Sequence, residues 1–329
     1  MGITKRRLLA MICFLLGGSI VAAGAPYKYS RVGNEADVSR TTKPGFALMG
    51  GGTDLDEAFE WMCDRANGGD FLVIRATGSD DYNAYIQKLC KLNSVATLVI
   101  PDKEAAQDPR VAAIIQRAEA LFISGGDQSN YIKYWQGTPV QTELNSLIKK
   151  GVPLGGTSAG LAVIGQFIFS AMNDSAFSKE TLANPYNERV TIASNFLAVP
   201  HLEKVITDTH FATRDRQGRL VGFMARVLQD GMSREVRGMG VDEKSALLVE
   251  PDGAAKAVGT GKGVYFYHPS AKPETCRPGK RLTFEGIFVE KISTGQSFSL
   301  SEWKGQGTSY TLNLKNGVLT TTAPGGSVY

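Results

Sequence analysis

With 329 residues, 43% of them hydrophobic and 21% charged, the chain can bury a full-sized core, which excludes a disordered or fibrous protein. Its 37 glycines and 13 prolines follow no collagen-like or solenoid period. The net charge of +4 belongs to the leader: Lys5, Arg6 and Arg7 fall in the first 25 residues, which hold no acid, and the remaining 33 basic and 32 acidic residues nearly cancel. No nucleic-acid partner is therefore expected.

The leader joins that basic start to an apolar stretch over residues 8–23 and the small residues Val21-Ala22-Ala23-Gly24-Ala25, the layout of a cleaved secretory signal. The expectation is a secreted or periplasmic protein, cut near residues 23–25, with no stable membrane association afterwards. Cys13 is lost with the leader. Of Cys63, Cys90 and Cys276, only two can pair within the chain, and Cys63 with Cys90 is favoured because they fall on successive predicted helices. His201, His210 and His268 are the only histidines and have no metal-ligand spacing, so no metal or cofactor is expected.

Residues 26–44 read as an N-terminal extension. From residue 45, short apolar runs alternate with amphipathic ones: Phe46–Met49 then a helix over 54–66, a strand over 71–74 then a helix over 82–92, a strand over 95–100 then a helix over 108–118. The pattern continues with a strand over 120–124, one helix over about 128–150, a strand over 152–155 and a helix from about Ser158. The strands are apolar without alternation, as strands covered on both faces are. The prediction is an α/β fold with a doubly wound, mostly parallel sheet over residues 45–270. Residues 271–329, with an Asn316-Gly317 hairpin turn, read as a small β-rich C-terminal extension.

In such a sheet the working residues lie on loops leaving the carboxyl ends of strands. The strongest signal there is Gly156-Thr157-Ser158-Ala159-Gly160, a G-x-S-x-G frame between strand and helix that lifts a serine hydroxyl towards solvent. Ser158 is the candidate nucleophile, and the Ala159 amide at the helix start faces any oxyanion formed there. A serine needs a base. His210 is the best placed, in the charge-dense stretch over residues 208–220, whereas His201 and His268 read as ordinary structural histidines. The orienting carboxylate is sought between Ser158 and His210, with Asp174 first, Glu188 and Glu180 behind it, and Asp208 read as a substrate or structural contact. Gly125-Gly126-Asp127-Gln128 offers the Gly126 amide as a second oxyanion donor. Arg214 and Arg216 point apart on a helix while Arg216 and Arg219 share a face, so one or two of them are candidates for a substrate carboxylate, with Arg214 the more tolerant.

Together Gly50-Gly51-Gly52, Gly125-Gly126-Asp127-Gln128, Gly155-Gly156-Thr157-Ser158-Ala159-Gly160, the D-x-H-F-x-x-R-x-R-x-x-R-L segment from Asp208 to Leu220, and Gly240-Val241-Asp242-Glu243-Lys244-Ser245-Ala246-Leu247 resemble peptidase family S51, which includes cyanophycinase and dipeptidase E. The resemblance covers residues 45–270, and residues 287–300 resemble the C-terminal part of the cyanophycinase-like branch. It implies a class I glutamine amidotransferase-like, flavodoxin-like sheet and a serine exopeptidase or dipeptidase acting next to aspartyl, including β-aspartyl, residues. It implies Ser158 and His210 as nucleophile and base, with Gln128, Asp208, Arg216 and Arg219 in the substrate pocket. The cyanophycinase pattern has Gln where this chain has the shorter Thr209. The expected partner is a peptide substrate, with a homodimer left open. The rival readings are an α/β-hydrolase-type esterase, which shares the serine elbow, and a non-catalytic binding protein on the same fold.

Overall fold

A computed structural model describes residues 26–329; the leader predicted over residues 1–25 lies outside the described residues. The predicted alternation forms. In chain order, β1 (Lys28–Gly33), β2 (Phe46–Met49), α1 (Asp56–Ala66), β3 (Asp70–Arg75), α2 (Asp81–Leu89), β4 (Ser94–Val99), α3 (Lys103–Gln107), α4 (Pro109–Ile115) and β5 (Ala120–Ile123) are followed by α5 (Gln128–Trp135), α6 (Pro139–Lys150), β6 (Leu154–Thr157) and the single turn α7 (Ala159–Ala162). The one helix expected over residues 128–150 is two. Gly137 turns the chain at φ 74° and Pro139, which has no N–H to donate, starts the second helix.

Strands β4, β3, β5, β6 and β2 form a parallel block, with β1 antiparallel beside β4. Both faces are covered. Ala47, Met49, Phe71 and Val73 pack with Phe59 and Met62 of α1 and Ile86 of α2, while Phe46, Leu48, Leu72 and Ile74 pack with Val111, Trp135 and Leu144 of the opposite helices. This burial on both sides is why the strand sequences do not alternate. Cys63 of α1 and Cys90 at the end of α2 form a disulfide, their Cα atoms 6.1 Å apart; Cys276 is buried and unpaired among the described residues.

The chain then builds a second sheet from β7 (Phe167–Phe169), β8 (Ile192–Ser194), β9 (Val205–Asp208) and β10 (Arg237–Val241), with α8 (Ser178–Ala183) and the long α9 (Gln217–Gln229) between them. One face of this sheet, through Ile168, Val205, Met239 and Val241, enters the core of the first sheet; the other, through Phe167, Phe169 and Ile206, is covered by Leu220, Phe223 and Met224 of α9. The remaining strands serve both sheets. β11 (Ser245–Val249), β12 (Ala254–Gly259), β15 (Ser297–Ser299) and β16 (Lys304–Gly305) extend the first beyond β2, and β13 (Val264–Pro269), β14 (Phe284–Ile292), β17 (Thr308–Lys315) and β18 (Val318–Thr321) extend the second beyond β10. Asn316 and Gly317, both at positive φ, close the β17–β18 hairpin as their sequence predicts. The result is a flavodoxin-like α/β arrangement with a β-rich C-terminal region, and the carboxyl ends of β2, β6, β9 and β10 meet where the two sheets join.

Candidate active site

Ser158 follows β6 at φ 52° and ψ −119°, a conformation that an L residue holds only under constraint. The constraint is close packing. A Cβ on Gly160 would stand 2.0 Å from the carbonyl oxygen of Ile123, so only glycine lets the helix start this near β5. The turn is braced from the opposite side by Thr157, which donates to Asp54 Oδ1 at 2.6 Å, and by the Ser158 N–H, which donates to the Met49 carbonyl at 3.2 Å.

His210 lies two residues past β9, and its backbone N–H donates to the Gly50 carbonyl at 2.8 Å. Its imidazole covers Gly51. That residue is at φ 96°, and a Cβ there would lie 2.5 Å from the ring's Cε1, so the imidazole occupies the volume a side chain would fill. Ser158 Oγ and His210 Nε2 are 2.7 Å apart, and His210 Nδ1 is 2.6 Å from Oε1 of Glu243. Glu243 sits between β10 and β11, and because β10 runs parallel to β9 their carboxyl ends deliver the carboxylate and the imidazole to one place.

The electrostatics fix the protons. The His210 hydrogen bond, helped by the Arg214 guanidinium, holds the Glu243 carboxyl below the usual carboxylate range, so it is an acceptor only. His210 therefore carries its proton on Nδ1, and Nε2 is left to accept from the Ser158 hydroxyl. Burial lowers the His210 pKa below 6.5 against the opposing pull of Glu243, so at neutral pH the ring is neutral, as this tautomer requires.

The structure brings Ser158 and His210 together and does not bring Asp174 to them. Asp174 is exposed, at φ 76°, and its Oδ1 accepts from the N–H of Ser175 beside it. Glu188 is also exposed, and Glu180 pairs with Arg189 at 3.5 Å. Glu243, which the sequence offers within residues 240–247, lies outside the stretch between serine and histidine where the carboxylate is expected, and it is the acid that meets His210.

Asp208 and Arg219 are likewise not free to meet a substrate. They close on each other, Nε to Oδ2 at 2.7 Å and Nη2 to Oδ1 at 2.6 Å, while Nη1 of Arg219 donates to Ser175 Oγ and to the Ala176 carbonyl, both at 3.1 Å. Arg216 turns inward as well, donating to the carbonyl of Thr209 at 3.0 Å and to its hydroxyl at 3.3 Å. These groups hold the loop that carries His210. Arg214, expected to be the tolerant arginine, is the one at the site: half exposed, with its Nε 3.3 Å from Glu243 Oε1. Gln128, half-buried at the start of α5, donates to the Phe169 carbonyl at 3.4 Å. Ala159 is buried at the start of α7, and the Gly125-Gly126 turn lies against the elbow, a Cβ on Gly125 falling 3.5 Å from that of Ser158.

The sequence model of Peptidase family S51 matches residues 46–257, a span that contains this whole arrangement. The chain belongs to peptidase family S51. The chain is similar to the cyanophycinase of Trichormus variabilis, 29% identical over 211 residues that cover 63% of this chain and 65% of the relative. A similar likeness, 29% over 171 residues, covers 52% of this chain and 48% of the cyanophycinase of Synechococcus elongatus. The chain spans less than two thirds of the length of either relative. Among solved structures, a peptidase from an acI-B1 Actinobacterium has a similar fold, with a TM-score of 0.51 and 16% identity, covering 79% of this chain and 98% of that one.

Proposed function

We propose that this chain is an extracytoplasmic serine peptidase of cyanophycinase-like type, an exopeptidase or dipeptidase that cleaves peptide bonds next to aspartyl residues. The observation that carries the reading is the continuous relay from Glu243 through His210 to Ser158, with contacts of 2.6 and 2.7 Å. Ser158 Oγ attacks the scissile carbonyl as His210 Nε2 takes its proton; Glu243 keeps the ring in register and stabilises the imidazolium that forms. The proton then passes to the leaving amine, and water repeats the sequence on the acyl-enzyme. The N–H groups of Ala159 and Gly126 are the donors for the oxyanion.

Selectivity for acidic substrates rests on Arg214, whose guanidinium is half exposed and engaged through Nε, and on Gln128 across the elbow. Thr209 is buried against Arg216, so the position where the cyanophycinase pattern has Gln offers the pocket no amide. Export is supported by the leader and by the Cys63–Cys90 disulfide, a bond that persists in oxidising compartments. Digestion of a peptide library, read by mass spectrometry, tests both the exopeptidase and the aspartyl parts. Ser158→Ala should lower kcat by about 10³-fold or more with unfolding unchanged; wild-type turnover in that variant, or turnover of esters in place of peptides, overturns the reading.

A further inference from the structure

Helix α9 starts directly behind the His210 turn and has no cap of its own: Arg216 holds the cap position, and its side chain makes no capping bond. An exposed helix start would take water, but Gln217 is buried, so its N–H needs a protein partner. It has one from 112 positions away. The Gln217 N–H donates to the phenolic oxygen of Tyr329 at 2.9 Å, and the same phenol donates to Oδ1 of Asp215 at 2.9 Å.

Asp215, at φ 49°, lies near the end of the turn that His210 opens at φ 47°; within it Arg214 donates to the His210 carbonyl, Asp215 to Ala212 and Arg216 to Phe211. The Tyr329 ring packs edge-on against Phe211, which follows the base, and against Tyr265, at 6.1 and 6.0 Å between centroids. The Gln217 amide and the hydroxyls of Tyr265 and Tyr267 are buried there and find no hydrogen-bond partner among the described residues.

We propose that Tyr329 is a positioning residue for His210: its phenol caps α9 and pins the far end of the turn, so that the imidazole stays over Gly51 within reach of both Ser158 and Glu243. A phenol fits because it donates and accepts through one oxygen on a rigid apolar ring. Phenylalanine would keep the ring and lose both bonds, leaving a buried N–H unpaired.

The inference rests on His210 being the base, and its test separates the two ideas. Tyr329→Phe and Asp215→Ala each break the brace, whereas Asp215→Asn keeps an acceptor and serves as the rescue. The NMR titration of the His210 ring needs no substrate. The charges that act on that ring, those of Glu243, Arg214 and Arg216, are kept in every variant, so a shift reports its hydration. Expected in Tyr329→Phe and Asp215→Ala are a titration midpoint moved up towards that of an exposed histidine and a kcat lower by about ten- to a hundredfold at unchanged KM, with Asp215→Asn near wild type. If wild-type protein cleaves no peptide, the peptidase reading fails and the titration alone decides the positioning role. An unmoved midpoint, or a kcat loss that only follows the unfolded fraction seen by circular dichroism, overturns the proposal.

Discussion

Asp208 and Arg219 meet through two parallel hydrogen bonds, with each side chain only 3% exposed. This is an internal strut between the end of β9 and the first turn of α9, and lysine cannot copy its fork. Arg219→Lys is expected to cost about 2 to 4 kcal/mol of stability, towards the range for breaking a buried pair. It should lower kcat/KM on acidic and neutral peptides by the same factor. Urea unfolding together with a matched pair of substrates measures both; a loss confined to acidic substrates at unchanged stability would return Arg219 to the pocket.

Glu243→Gln keeps the shape of the side chain and removes the charge that stabilises the imidazolium and fixes the tautomer. A drop in kcat of about 10³- to 10⁴-fold is expected, the scale for neutralising the acid of such a relay. Combined with Ser158→Ala the losses should not multiply, since the three groups act as a unit. Asp174→Asn should leave kcat/KM near wild type, and parallel rate measurements on the variants would expose the opposite ranking.

The acid limb of kcat/KM should have its midpoint below pH 6.5, because burial lowers His210 and the nearby arginines add to it. Removing the Glu243 charge takes away the opposing pull, so in Glu243→Gln the limb should move to still lower pH while the plateau falls. Stability follows the same direction. The unfolded histidine takes up its proton near 6.5 and the folded one resists, so stability is lost as pH falls below 6.5; Glu243, held low in the folded state, adds a loss as pH falls below 4.5. Melting temperatures across pH 7 to 4 check the sign; a protein that gained stability on acidification would contradict it.

The Cys63–Cys90 bond closes a loop of 27 positions in the first sheet's helical cover. On loop entropy, Cys63→Ser is expected to cost about 3 to 4 kcal/mol, read as a lower unfolding midpoint that reductant reproduces in the parent. On the proposed export, the mature protein should begin between Gly24 and Tyr27. Sequencing that finds Met1 or Gly2 on membrane-extracted chain would point to an anchor.

Ser158 and His210 were legible because each depends on a local pattern: glycines that make an elbow, and a polar run at a strand end. Glu243 was not, since the order of acid, base and nucleophile along a chain is free and only the parallel pairing of β9 with β10 reveals who faces the imidazole. The arginine-rich segment misled for the opposite reason. Its charges look like a binding surface until the turn at residues 210–216 brings Arg219 back onto Asp208, eleven positions behind it. The parallel block was readable from its unbroken apolar strands, whereas the second sheet, with strands as short as three residues, became visible only in the fold.

Ser158 projects from one sheet and His210 from the other, so the 2.7 Å between them spans the seam where the sheets join. A chain that has formed only one sheet holds a hydroxyl without a base, or a base without a hydroxyl. On the peptidase reading, hydrolysis then reports the finished fold, since neither sheet alone holds both groups.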